Sequence, residues 1–140
     1  MPLHLIKLCV GADTIEDLAG WQAGRRKGGP KAVYHYTRFM PKRADEVLNG
    51  GSIYWVIKGF IQVRQRIIGF DWQEIEEKGR VCGIRLDRKL IPTEPMGRRP
   101  HQGWRYFMAA DAPPDLPRRG RGAAGVPVEM LKHLKGLGLI

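Results

Sequence analysis

The sequence predicts an α+β domain: a curved antiparallel or mixed sheet of five to six strands with two to three helices, closure into a small barrel being one form open to it. Three observations carry this. The densest run of strand formers, Gly50 to Gly69, is rich in Ile, Val, Tyr, Trp and Phe and is closed by glycine at both ends, the composition of a half-buried pleated surface. Helical periodicity is confined to short stretches near the two ends and one between them. Glycine and proline clusters punctuate the remainder. A chain of 140 residues is of single-domain size and buries enough surface to hold a core without staples. One domain over 1–140 is therefore expected, with a Pro/Arg/Gly-rich loop at 111–125 before a closing helix.

Leu3 to Val10 reads as a strand with both faces mostly apolar, hence central in the sheet. Asp13-Thr-Ile-Glu16 resembles a capping box, and Ile15, Leu18, Ala19 and Gln22 share one helical face, which places a helix at about 14–23. Arg25, Arg26, Lys27 and Lys31 stand in or beside a Gly/Pro loop without an acid. Ala32 to Thr37 is a strand by composition, and Pro41 opens a short helix ended by Asn49 and two glycines.

If residues 52–68 formed one straight strand it would run roughly 55 Å, far beyond a domain whose radius of gyration is about 14 Å. The chain must turn, and Lys58-Gly59 is where it turns at least cost. Uninterrupted pairing then sets Ile57 opposite Phe60, Trp55 opposite Gln62 and Ile53 opposite Arg64. Trp55, Gln62, Arg64 and Arg66 would face outward, with Tyr54, Val56, Ile61, Val63, Gln65 and Ile67 in the core. Asp71 to Gly79 reads as an acidic connection with a helical turn, and Arg80 to Leu86 as a strand. Prolines and glycines break structure from Pro92 to Pro100, before a last strand at Gly103 to Met108. Pro127 starts the closing helix, which Gly136 caps.

Net charge is +10, and residues 18 to 70 hold ten Lys or Arg against two acids, together with eight of the twelve aromatics. Cations interleaved with aromatics are what a phosphate-backed, base-bearing ligand requires. The catalytic chemistries thin out. Ser52 is the only serine and lacks the glycine pattern of a nucleophile elbow. Cys9 and Cys82 are far apart in apolar surroundings, as buried thiols are. His4, His35, His101 and His133 show no metal-ligand spacing, so no metal is expected. Glu74, Glu76 and Glu77 read as a solvated acidic run rather than as acid-base groups. Gly120-Arg-Gly-Ala-Ala-Gly125 matches a dinucleotide fingerprint in letters only, because no strand precedes it. No cofactor, signal peptide or membrane span is expected, and the cytoplasm is the expected compartment.

Binding remains. Arg25, Arg26, Lys27, Arg38, Lys42 and Arg43 are candidate phosphate contacts, Tyr34, Tyr36 and Trp55 candidate stacking platforms, and Gln62, Arg64 and Arg66 candidate readers of base edges. RNA is the first reading, and a basic accessory subunit docking on an acidic protein surface the second. A metal-free ribonuclease-like site using His35 and His101 beside Lys58 or Arg105 is the third.

Pro2-Leu-His-Leu-Ile-Lys-Leu-Cys-Val10, Tyr34-His-Tyr-Thr-Arg-Phe-Met-Pro-Lys-Arg43, Gly51-Ser-Ile-Tyr-Trp-Val-Ile-Lys-Gly59 and Gln102-Gly-Trp-Arg-Tyr106 together resemble an uncharacterised bacterial family of unknown function, over nearly the whole chain. The resemblance implies a small soluble protein and supplies no catalytic residues. "Ile-Lys-Gly" leading into an Arg-bearing strand is also loosely similar to the small RNA-binding barrels of the pseudouridine-synthase-associated type, an analogy of shape alone.

Overall fold

A computed structural model describes residues 2–25, 32–76, 79–99 and 101–116. The expected closing helix, the Arg-Gly run at 118–122 and most of the basic loop at 26–31 lie outside the described residues. The elements in chain order are β1 (Leu3–Leu8), α1 (Ile15–Arg25), β2 (Ala32–Thr37), α2 (Ala44–Leu48), β3 (Ser52–Ile57), β4 (Phe60–Ile75), β5 (Gly79–Asp87), β6 (Ile91–Gly97), β7 (Trp104–Met108) and a 3-10 turn at Ala109–Asp111.

The fold is α+β, built on one mixed seven-stranded sheet ordered β2-β5-β4-β3-β1-β7, with β6 also paired to β4. The sheet does not close into a barrel. β1 runs parallel to β3 and antiparallel to β7, so it is central, as its two apolar faces predict. Two helices pack on the sheet. Thr14 and Asp17 form the capping box of α1, the Thr14 hydroxyl accepting from the Asp17 amide at 3.1 Å and the Asp17 carboxylate from the Thr14 amide at 3.3 Å. The box therefore sits one residue later than Asp13 and Glu16 suggest.

The β3–β4 turn is Lys58-Gly59, with φ of 53° and 83° at the two residues, the positive pair of the turn whose twist suits a hairpin. Ile57 faces Phe60 as expected, but Trp55 faces Val63 and Ile53 faces Gln65, because a bulge interrupts the pairing between Trp55 and Val56. Gln62 is the extra residue, and its side-chain amide donates to the Ile57 carbonyl at 2.7 Å. One inserted residue flips every later side chain of a strand to the other face. The expected face assignment is thereby corrected. Trp55 shares its face with Val63, Gln65 and Ile67; Tyr54 and Val56 share the other with Ile61, Arg64 and Arg66.

Two further departures follow from pairing that local pattern does not reveal. β4 runs for 16 residues, and its last part, Trp72 to Ile75, pairs with Cys82 to Gly79 of β5, so a strand stands where an acidic helical turn was expected. Cross-strand pairing outweighs intrinsic preference there. Pro92 and Pro95 lie within β6, a strand that they were expected to break. A proline is tolerated on the margin of a sheet, where it need not donate to a central ladder. Residues 114–116 lie along β6, through Glu94 N to Pro114 O at 2.9 Å and Leu116 N to Pro92 O at 2.9 Å.

One face of the sheet carries the larger core, where Leu5, Ile53, Trp55, Ile57, Val63, Ile67, Ile84 and Leu86 pack under Leu18 of α1 and Val47 of α2. We call this the inner face. Gly51 lets α2 close on it: a Cβ there would stand 2.2 Å from the Leu3 carbonyl oxygen and 2.4 Å from that of Val47, so no larger residue fits. The smaller core on the outer face joins Ile6, Tyr54, Val56, Ile61 and Phe107.

Candidate functional site

The bulge at Gln62 dissolves the outward surface that was expected around Trp55, Arg64 and Arg66. Trp55 and Gln62 are each 2% exposed, and the Trp55 indole donates to Gln65 Oε1 at 3.2 Å inside the core. Neither can stack on or read a base. Arg64 turns to the outer face, where its guanidinium grips both Asp115 oxygens at 2.7 and 2.8 Å and donates to the Ser52 hydroxyl at 2.9 Å. That pairing holds the Asp115 carboxyl below its usual range. Arg66 is exposed on the same face as Arg64.

The remaining cations separate by what they touch. Arg43 is paired with Glu46 at 2.6 and 2.7 Å and lies over the Tyr106 ring at 5.5 Å. Lys58 meets Asp13 at 3.2 Å. Arg25 ends α1, while Arg26 and Lys27 lie outside the described residues. Arg38 and Lys42 are exposed and have no carboxylate partner among the described residues. Tyr34 and Tyr36 stack at 6.2 Å on the outer face, with the Tyr34 hydroxyl donating to Asp71 at 3.1 Å. His35 packs edge-on to Trp55 at 5.1 Å. The pKa of His101 is lowered by burial and then by Arg105.

Arg38 and Lys42 belong to a groove. β2 and β7 stand at opposite ends of the strand order, and the segment after β2 crosses from one to the other. The Trp104 indole donates to the Phe39 carbonyl at 3.1 Å, and the Arg43 amide to the Tyr106 hydroxyl at 3.0 Å. Between these edges lies a groove of about 840 Å³ lined by Lys7, residues 36–40, Lys42, residues 102–104 and Tyr106. Among the described residues three cations and four aromatics line it, without an acid. Phe39 is 66% exposed, so its ring is offered to whatever enters.

Lys7 lies on its inner wall. In the ladder Lys7 stands between Trp55 of β3 and Trp104 of β7, and alternation along β1 puts it on the face of Leu3 and Leu5. It is partly buried, and burial lowers its pKa, since desolvation penalises the ammonium. No carboxylate meets it among the described residues. A cation held in an apolar wall without a counter-charge is costly for the fold, and an anion placed in the groove would offset that cost.

Lys7, Phe39, Trp104 and Tyr106 escape the sequence reading. One signal was present: Lys7 interrupts an otherwise apolar face of a strand predicted to be central. Among the described residues no group of three or more His, Cys, Asp or Glu side chains is gathered as a metal would need, and no helix is long and apolar enough to cross a membrane.

The chain belongs to a family described as protein of unknown function (DUF1489), whose model matches residues 5–140. No curated protein and no solved structure matches it.

Proposed function

For this member of the DUF1489 family we propose binding of single-stranded RNA, in the groove between β2 and β7. The observation that carries the reading is the groove's lining, in which Lys7, Arg38 and Lys42 occur with Tyr36, Phe39, Trp104 and Tyr106 and, among the described residues, no acid. Cations that track a phosphate backbone beside rings that accept unpaired bases are the common equipment of single-strand binding, each stacked base contributing about 1–3 kcal/mol. A concave groove suits a flexible strand better than it suits the flatter surface of an acidic protein. Of the cations expected on one outward surface, Arg38 and Lys42 line the groove, and Arg64 and Arg66 play no part in it.

The test is fluorescence anisotropy of a short labelled RNA of mixed sequence across a salt series. Three cations meeting phosphates predict a slope of log K against log salt of about −2. The double substitution Arg38→Ser with Lys42→Ser should weaken binding and flatten that slope. Absence of binding at low salt, or a slope that the double variant leaves unchanged, would overturn the reading. Nuclease-resistant capture of a protein at fixed stoichiometry through the same groove would transfer it to an acidic partner.

A further inference from the structure

We propose that the groove receives the end of an RNA strand, not its interior, and that Lys7 takes the terminal phosphomonoester. The inference rests on the RNA reading and sharpens it. Two features of the groove point the same way. The first is that the 38–43 segment is fastened to β7 beside the groove. The hydrogen bonds from Trp104 to the Phe39 carbonyl and from the Arg43 amide to Tyr106 tie the main chain of this segment to side chains of β7, and on this proposal a strand that reaches them stops there.

The second is the position of Lys7. Phe39 stands exposed at the groove, whereas Lys7 is partly buried between Trp55 and Trp104 on the inner wall. On this proposal a base stacked on Phe39 leaves the sugar and its terminal phosphate directed inward, toward Lys7. An internal phosphodiester carries one negative charge, but a terminal phosphomonoester carries about −1.5 to −2 at neutral pH and three acceptor oxygens. Lys7 has no carboxylate to satisfy it among the described residues, so the more highly charged group gains most from meeting it. The ammonium is a compact point charge with three donors, which matches a phosphate head better than a planar base edge. The 5′ and 3′ monoesters share this chemistry and are to be told apart by experiment.

The experiment compares four RNAs of one sequence by competition against a labelled strand: 5′-phosphorylated, 3′-phosphorylated, hydroxyl at both ends, and circular. One phosphorylated form is expected to compete about tenfold better than the hydroxyl-ended and circular forms, the effect of one charge-assisted contact. Lys7→Met should abolish that preference while the melting curve shows a folded protein, and Lys7→Arg, which keeps the charge, should retain most of it. Equal competition by circular and linear RNA would overturn the end-binding inference and leave single-strand binding standing. A preference that survives Lys7→Met would remove Lys7 from the role. Failure of all four RNAs to compete would remove the RNA reading itself.

Discussion

Two polar insertions share the inner face of this sheet and meet different fates. Under α1, Gln65 accepts from the Trp55 indole at 3.2 Å and from Gln22 at 2.9 Å, and donates to Gln22 at 2.7 Å and to the Asp87 carbonyl at 2.8 Å. Both ends of its amide are matched in a site that is 0% exposed. Beneath the groove, Lys7 lies beside the same Trp55 with no carboxylate partner among the described residues. A satisfied buried network fixes one arrangement of helix on sheet, whereas a desolvated cation left without its counterpart stabilises nothing until something arrives. The pair distinguishes architecture from function by the bonding inventory of each group, on a single face and next to a single tryptophan.

The sharpest way to break that contrast is Gln65→Leu. The leucine fills similar volume but leaves the Trp55 indole, the Gln22 amide and the Asp87 carbonyl to find other partners inside the core. Each stranded group costs about 1–3 kcal/mol, so a loss of about 3 kcal/mol or more is expected, read as a lower urea midpoint at unchanged slope. RNA affinity of the folded protein should stay as it was. A loss below about 1 kcal/mol would mean that the network does not secure α1, and the contrast would fail on its structural side.

The binding side is sharpened by Phe39→Ala. With its ring 66% exposed, Phe39 adds little to the core, and its removal should change stability by no more than about 0.5 kcal/mol. Affinity for single-stranded RNA should fall by about 1–2 kcal/mol, roughly five- to thirtyfold. The reverse pattern, stability lost and affinity kept, would place Phe39 with Gln65 as architecture.

How far the sequence announces each region follows from the same geometry. The Lys58-Gly59 turn, the central place of β1 and the strand at 32–37 are legible because turn chemistry and alternation are local. The register beyond Trp55 is not, because the bulge at Gln62 adds one residue that no periodicity marks, and that residue sends Trp55 inward and Arg64 outward. β6 hides behind Pro92 and Pro95, whose positional tolerance depends on where in the sheet the strand lies. The groove is least legible of all. Its walls come from β1, β2 and β7: the pairing of β1 with β7 sets Lys7 beside Trp104, and the crossing segment after β2 brings Phe39 there, neither of which a local pattern marks.

The smallest expected effect is also the most specific to Lys7. Burial acts on charge with a sign set by the group: it pushes the Cys82 thiol up to about 11 and lowers the Lys7 ammonium. The unfolded chain therefore binds the Lys7 proton more tightly than the folded one. Between the lowered folded pKa and the ordinary lysine value, unfolding takes up a proton, so stability rises with pH across that window, and below it the desolvation penalty is present in full. Lys7→Met removes the group from this balance, and should raise stability at neutral pH by about 1 kcal/mol or less. The variant's advantage should then shrink as pH climbs toward 10.5, the ordinary lysine value, which urea midpoints of the two proteins at matched pH would show. In the intact protein RNA affinity should fall through the same window as Lys7 discharges, earlier than an exposed lysine would allow. A constant difference between the two proteins at every pH would mean that Lys7 is fully hydrated in the fold, and the contrast with Gln65 would lose its physical basis.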